Sequence, residues 1–157
     1  MSISLTHYSE QHLDALNQFY LPEEQAKFTS LPHAFETVDK GQYRIVILAG
    51  NDAVGFFLLH ETERVNSFTD NPNAMLLTSL SINEKDQGKG YALKAMQLLA
   101  GFVSSEFPDC NEMVLAVNHK NIAAQKLYSN VGFQDTGRRI DGPIGEQWIL
   151  NLPIAKG

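Results

Sequence analysis

Residues 75–107 change from strand to helix periodicity across a short glycine-rich turn, and this switch constrains the fold more than any other feature. The run MLLTSLSI at the start is apolar and bounded by polar residues, which predicts a buried strand. The stretch GKGYALKAMQLLAGFVSSEF then places apolar residues three and four positions apart, which predicts a long amphipathic helix ending before Pro108. A strand that leads directly into such a helix indicates a sheet covered by helices.

A hairpin precedes this segment. Residues 43–49 and 54–60 are strand-like runs separated by Gly50, Asn51 and Asp52, which adopt turn conformations at little cost. Both faces of these strands are apolar, so we expect both sides of the sheet to be covered. The other predicted elements are strands at 3–8, 112–117, 132–140 and 146–152, a helix after Ser9 with Leu13, Leu16 and Phe19 facing the core, two short helices within 23–40 broken by Pro32, a loop at 62–73, a helix at 121–130, and a turn at Asp141, Gly142 and Pro143.

Composition is typical of an ordinary folded protein, with 157 residues of which 43% are apolar, and it predicts a single domain over residues 1–157. The 12 Lys and Arg against 18 Asp and Glu give a net charge of −6, so we expect no nucleic-acid partner. No apolar run approaches the ~20 residues of a membrane span, so no membrane partner is expected. With no signal peptide and a single cysteine, Cys110, the expected location is cytoplasmic.

The glycine turn between strand and helix carries the strongest chemical signal. The first amides of a helix lack internal partners, and glycines remove the Cβ atoms that would keep an anion away. A phosphate or pyrophosphate fits there, with Lys89 adding a charge. A turn that merely starts a helix is the alternative. The spacing excludes a P-loop, because Tyr91 follows Gly90, and excludes a dinucleotide fingerprint, because Leu93 stands where a third glycine is needed.

Two motifs resemble signatures of the GNAT superfamily of N-acetyltransferases. Gln87, Gly90 and Ala92 match its acetyl-CoA loop, Q/R-x-x-G-x-G/A. Residues 118–133, NHKNIAAQKLYSNVGF, resemble its N-x-x-N-x-x-A-x-x-L-Y-x-x-x-G-F. The resemblance implies the GNAT fold, an α/β (α+β) domain with a mixed, largely antiparallel sheet flanked by helices. It also implies acetyl transfer from acetyl-CoA to a primary amine. We expect direct attack in a ternary complex, because the sequence suggests no activated cysteine.

The resemblance further implies which residues hold acetyl-CoA. Backbone amides of residues 87–92 would surround the pyrophosphate, and the strand backbone at Leu80 and Ile82 would pair with the pantetheine arm and polarise the thioester carbonyl. Asn121 and Tyr128 would share a helical face, about 10 Å apart along the axis, although Asn121 could instead only cap the helix. The full expected set is Leu80, Ser81, Ile82, Gln87, Gly88, Lys89, Gly90, Tyr91, Ala92, Asn121 and Tyr128.

Tyr128 is the expected general acid, because the resemblance places its hydroxyl near the CoA sulfur. Its reference pKa is near 10, against about 8.5 for a thiol. A packed aromatic with no chemical role is the alternative. Many family members carry a carboxylate base on the strand of Leu80, but here that strand offers only Thr78, Ser79 and Ser81. His60 and Glu61, at the end of the preceding strand, are therefore candidates for the base that acts on the bound amine, unless they are simply solvated.

The acceptor is predicted from the segment Glu23-Glu24-Gln25-Ala26-Lys27-Phe28, which resembles the E-E-Q-x-x-F of bacterial members that acetylate polyamines. Together with the excess of acidic over basic residues in the chain, this segment predicts spermine or spermidine as the substrate and Glu23 and Glu24 as ligands of its amines. Both carboxylates could instead only complement a helix dipole.

The five histidines lack metal-ligand spacing, so no metal is expected. A non-catalytic acyl-CoA binding or sensing module and a generic nucleotide-binding protein are the rival functions. The oligomeric state stays open, a homodimer included.

Overall fold

The computed structural model describes residues 2–155, which form seven strands joined into one sheet. The strands are β1 (Ile3–His7), β2 (Gln42–Ala49), β3 (Asp52–His60), β4 (Ala74–Ile82), β5 (Glu112–Asn118), β6 (Gln134–Gly142) and β7 (Gly145–Pro153). Their order in the sheet is β1-β2-β3-β4-β5-β7-β6. Only β4 and β5 run parallel, and the other neighbouring pairs are antiparallel. The predicted mixed, largely antiparallel sheet is confirmed.

Within residues 2–155, four α-helices and four 3-10 turns connect the strands. The helices are α1 (Leu13–Asn17), α2 (Glu23–Ala26), α3 (Tyr91–Glu106) and α4 (Ile122–Asn130), and the 3-10 turns are Glu10–His12, Pro32–Phe35, Glu63–Ser67 and Glu84–Asp86. Within the described residues, no helix is long and apolar enough to cross a membrane.

The layers on the two faces of the sheet explain the hydrophobic pattern. Helix α3 covers one face with a buried stripe, whereas α1 and the Pro32–Phe35 turn cover the other, where Leu16 and Phe19 pack on β2 and β3. Coverage of both faces of the hairpin is therefore confirmed. The stripe of α3 consists of Ala95, Met96, Leu99 and Val103.

Three local predictions were wrong. Leu13 is 36% exposed, because the 3-10 turn before α1 changes the phase of the helical pattern. The predicted loop at 62–73 contains the Glu63–Ser67 turn, which Val65 and Phe68 anchor in a small apolar cluster. The last hairpin turns two residues later than expected, because β6 and β7 stay paired as far as Gly142 and Gly145.

The feature of the sheet that matters most for function is the short contact between β4 and β5. Their paired positions run only from Ala74 to Leu76 on β4 and from Glu112 to Val114 on β5. On its other side, β4 shifts register against β3 between Phe56 and Leu58. Ser79 lies at this bulge with a φ of 61°, a left-handed conformation that non-glycine residues rarely adopt. Beyond the last pair, a cavity separates β4 from β5.

The strained backbone at Ser79 yields a stability prediction. Ser79→Val should lower the free energy of unfolding by about 1–3 kcal/mol relative to Ser79→Gly, because a β-branched side chain tolerates positive φ poorly and glycine adopts it freely. Urea denaturation of the two variants measures the difference. Equal midpoints and slopes for both variants would show that the bulge relaxes without strain.

Candidate active site

The cavity between β4 and β5 has a volume of about 980 Å³. Its walls come from the unpaired part of β4, the second half of β5 and the N-terminal ends of α3 and α4. It is lined by all the predicted cofactor residues except Lys89, namely Leu80, Ser81, Ile82, Gln87, Gly88, Gly90, Tyr91, Ala92, Asn121 and Tyr128. The fold therefore brings the two sequence motifs to one place, although they are separated along the chain.

The glycine turn enters α3 with two left-handed residues. Gly88 and Gly90 have φ values of +79° and +78°, and a Cβ added at either would meet no protein atom within 4 Å. Glycine is thus required by the backbone conformation rather than by close packing. The amides of residues 88–92 have no hydrogen-bond acceptor in the described part of the chain, and they lie at the positive end of the α3 dipole.

Gln87 differs from its predicted role as an amide donor to the pyrophosphate. Its backbone N–H already donates to the Glu84 carbonyl at 3.1 Å, because the Glu84–Asp86 turn ends there. Its side chain donates to the carbonyl oxygens of Ile82 at 2.9 Å and of the Gln25 side chain at 2.8 Å. Gln87 therefore fastens the turn to β4 and α2.

Lys89 is placed outside the cavity lining. Its side chain is 51% exposed, and its Nζ atom lies 3.8 Å from Asp86 Oδ1. The turn therefore directs this ammonium group toward solvent and the neighbouring carboxylate.

The edge of β4 that faces the cavity presents backbone groups. The carbonyl of Leu80 accepts a bond from the Thr29 hydroxyl at 3.3 Å, and that of Ile82 accepts from Gln87. The N–H and C=O of one strand residue point to the same side, so the amides of Leu80 and Ile82 also face the cavity. The hydroxyl of Ser81 is buried and has no hydrogen-bond partner among the residues described.

Helix α4 contributes Asn121 and Tyr128. Asn121 is the N-cap, since its Oδ1 accepts from the Ala124 N–H at 3.2 Å, which confirms the capping interpretation and leaves its amide nitrogen available to the cavity. Tyr128 is 7% exposed and packs edge-on against Phe133 with ring centroids 5.4 Å apart. Its hydroxyl has no hydrogen-bond partner in residues 2–155, and burial raises the pKa of Tyr128 above its ordinary value.

The four predicted acceptor residues are separated by the fold. Glu24 lines the cavity, whereas Glu23 does not. Glu61 accepts a bond from the Tyr43 hydroxyl at 3.4 Å, away from the cavity. His60 is 1% exposed, so a solvated strand end is the wrong description of it. It lies behind Thr78, whose Oγ1 is 2.6 Å from His60 Nε2.

Several residues of the cavity carry no catalytic or binding signal in the sequence. Thr78 and Arg64 line it because β4 and the Glu63–Ser67 turn meet there, and no local pattern marks either residue. Asn118 begins the second motif, so its position did give a signal. Its side chain donates to the Ile144 carbonyl at 3.3 Å and accepts from the Lys120 N–H at 2.9 Å, which ties the last hairpin to the cavity wall.

The family follows from comparison with known sequences. The model of the Acetyltransferase (GNAT) family matches residues 9–133, a span that contains both motifs and the strands β4 and β5. The chain belongs to the GNAT family. This GNAT chain is an acetyl-CoA-dependent N-acetyltransferase, which confirms the predicted reaction class and cosubstrate. No group of three or more His, Cys, Asp or Glu suited to a metal ion occurs in the described ranges.

Relatives of this GNAT chain agree with the assignment. An uncharacterised N-acetyltransferase of Bacillus subtilis strain 168, YbbJ, is 49% identical over 153 residues, covering 95% of this chain and 96% of that protein. The structure of the aminoglycoside acetyltransferase AAC(6')-Ib in complex with coenzyme A and kanamycin has a TM-score of 0.75 at 15% identity, covering 97% of this chain and 95% of its own. RimL, a ribosomal L7/L12 α-N-protein acetyltransferase in complex with coenzyme A, has a TM-score of 0.73 at 15% identity, with coverage of 99% and 96%. The predicted GNAT fold is confirmed.

A glycine substitution tests whether the turn holds the cofactor. Gly90→Glu should lower the affinity for CoA at least about 100-fold, or about 2.8 kcal/mol, because a carboxylate would enter the space beside the free amides. Isothermal titration calorimetry measures the effect. Gly137→Glu is the matched control, since Gly137 has a φ of +88° and equally open surroundings but does not line the cavity. Equal CoA affinities in the two folded variants would contradict a cofactor site at this turn.

Proposed function

We propose that the cavity binds acetyl-CoA between β4 and β5 and that a primary amine attacks the thioester there in a ternary complex. The observation that carries the proposal is the continuity of one cavity from the free amides at the α3 N-terminus to the hydroxyl of Tyr128. A pyrophosphate at one end and a thioester at the other would then be joined by the pantetheine arm along the β4 edge.

The pyrophosphate, the pantetheine arm and the thioester each have a counterpart in this arrangement. The amides of residues 88–92 offer donors to the pyrophosphate, and those of Leu80 and Ile82 offer donors to the pantetheine amides or the thioester oxygen. The free amide nitrogen of Asn121 offers one further donor. These groups are preorganised by secondary structure, so binding orders few side chains.

Tyr128 is proposed as the group that faces the departing sulfur. In the reaction the amine nitrogen bonds to the carbonyl carbon, the C–S bond breaks, and its electron pair goes to sulfur. Because burial raises the pKa of Tyr128, the hydroxyl stays protonated and can donate to the developing thiolate. Transfer of its proton to a thiolate is uphill on its own, since a thiol has a pKa near 8.5. The attacking amine loses one proton as the C–N bond forms, and that proton replaces the one that the Tyr128 oxygen gives to sulfur, so the products are the amide, the CoA thiol and a neutral Tyr128.

Direct attack is supported by the position of the only cysteine. Cys110 is buried outside the cavity lining, and its thiol contacts the Glu112 carbonyl at 3.3 Å. An acyl-cysteine intermediate at the thioester would need a thiol beside Tyr128. We therefore assign the transfer to a single step from acetyl-CoA to the amine.

Substitution of Tyr128 tests its role. Tyr128→Phe should reduce the single-turnover rate of acetyl transfer about 10²–10⁴-fold at saturating acetyl-CoA, while CoA affinity and stability change little, because only the hydroxyl is lost. Rapid-quench measurement isolates this step. Tyr43→Phe, which removes a hydroxyl away from the cavity, is the control. An unimpaired rate in Tyr128→Phe would leave this residue a packing role only.

The narrower proposal is that the acceptor is a polyamine whose ammonium group binds at Glu24. The negative net charge of −6 and the carboxylates of Glu24 and Asp86 in the cavity support it. Lys27 and Arg64 also line the cavity, so the cationic end of the acceptor must lie nearer to Glu24 than to these two residues.

Neutralising single carboxylates tests the polyamine proposal. Glu24→Gln should raise the apparent KM for spermidine about tenfold and leave that for acetyl-CoA unchanged, because a charged hydrogen bond is lost. Glu23→Gln is the matched control, since Glu23 is adjacent to Glu24 in α2 but lies outside the cavity lining. Steady-state kinetics with both substrates gives the values. Failure of the wild type to acetylate spermidine would reject the polyamine and leave the reaction class standing.

The non-catalytic alternative is less well supported. A sensing module needs no space for an acceptor, yet Glu24, Phe28 and Arg64, which are not among the predicted cofactor residues, line the same cavity as Tyr128. Release of free CoA thiol in a panel of primary amines tests this point. A module that binds acetyl-CoA tightly and releases no thiol with any amine would be a sensor.

A further inference from the structure

We infer that His60 is a positioning residue, which holds the hydroxyl of Thr78 as a binding group for the acceptor amine. The inference rests on the proposed function and assigns His60 a role different from that of the base for which it was a candidate. His60 Nε2 lies 2.6 Å from Thr78 Oγ1, a short hydrogen bond. Thr78 lines the cavity and His60 does not, so His60 acts through Thr78.

Thr78 lies on the face of the sheet opposite to Tyr128. Its register partner on β3, Leu58, packs with Leu16 and Phe19 of the α1 layer, and directly opposed residues in antiparallel strands share a face. Tyr128 belongs to the cluster of the α3 layer. An acceptor bound at Thr78 would therefore approach the gap between β4 and β5 from the face opposite to Tyr128.

The hydrogen-bond chain behind Thr78 fixes the tautomer of His60. The side-chain oxygen of Gln42 accepts from the Asp39 N–H at 2.8 Å, so its amide nitrogen is the atom that faces His60 Nδ1, at 3.5 Å. That nitrogen can only donate, so Nδ1 accepts and the ring proton lies on Nε2. His60 therefore donates to Thr78.

This direction of donation decides what Thr78 offers the cavity. With one lone pair of Oγ1 occupied by His60, the other lone pair and the hydroxyl hydrogen are available, and no second partner for this hydroxyl occurs in the described chain. The free lone pair can accept an N–H of the acceptor, which leaves the lone pair of the amine nitrogen to attack the thioester.

The direction of the hydrogen bond from His60 to Thr78 also indicates that His60 is not the base. Its Nε2 already carries a proton, and its Nδ1 points away from the cavity toward Gln42. Burial and the positive charge of Arg64 lower the pKa of His60 to about 4, which keeps the ring neutral. A neutral donor that orients a hydroxyl is the role consistent with all of these contacts.

Two variants of His60 separate a positioning role from a base role. His60→Gln keeps a side-chain N–H donor but cannot act as a base. His60→Leu loses both the donor and the base. We expect His60→Gln to retain kcat/KM for the acceptor within about threefold, and His60→Leu and Thr78→Val each to lose about tenfold or more, with the KM for acetyl-CoA unchanged. The assays use spermidine, or n-butylamine if spermidine is not acetylated, normalised to CoA-binding sites by calorimetry.

The double variant and a spectroscopic arm complete the test. The double variant with His60→Leu and Thr78→Val should lose no more kcat/KM for the acceptor than Thr78→Val alone, because both changes remove the same hydrogen bond between His60 and Thr78. Equal large losses in His60→Gln and His60→Leu, or additive losses in the double variant, would overturn the inference.

Nitrogen-15 NMR of the histidine rings, with His60→Gln for assignment, should show His60 protonated at Nε2 only. Protonation at Nδ1 would overturn the inference even if no amine is acetylated, in which case the proposed function fails separately.

Discussion

The short pairing between β4 and β5 is the constraint on which the rest of the site depends. Backbone N–H and C=O groups inside a protein need partners, and a strand that loses its neighbour leaves a row of them unpaired. Here that row runs along β4 beyond Leu76, where the bulge at Ser79 interrupts the regular register. Side chains satisfy some of its carbonyls and leave amides facing the cavity. The interruption of the pairing between β4 and β5 thus forms the proposed binding surface.

The net charge of the chain and the partial charge of the backbone at the cavity have opposite signs. The chain has a net charge of −6, which on its own would disfavour an anionic cofactor. The N-terminal ends of α3 and α4 nevertheless meet at the cavity, where the amides of residues 88–92 have no acceptor among the described residues, and backbone dipoles act strongly over a few ångströms. Gly90 makes the first of these ends accessible because it adopts a positive φ without a side chain. A phosphate site can therefore exist within an acidic surface.

The polar groups buried in the sheet are arranged differently on its two faces. On the α3 face, Tyr128 is surrounded by apolar residues and keeps its proton. On the α1 face, His60 is buried with hydrogen-bonding contacts at both ring nitrogens, which offset the loss of hydration. The gap between β4 and β5 lies between these two environments. In the proposed transfer, Tyr128 faces the thioester from the α3 face, and the acceptor is bound by the hydroxyl that His60 positions on the α1 face.

Local signals in the sequence determined the strands, the helices and the two motifs. Periodicity and spacing act over a few residues, so the left-handed turn at Gly90 and the helix of Tyr128 were predictable from neighbours in the chain. Contacts between distant segments were not. The position of Glu24 in the cavity depends on how α2 packs against the glycine turn, and the meeting of His60 with Thr78 depends on the register and the bulge between β3 and β4. One residue of register moves a side chain to the other face, and only the assembled sheet fixes that register.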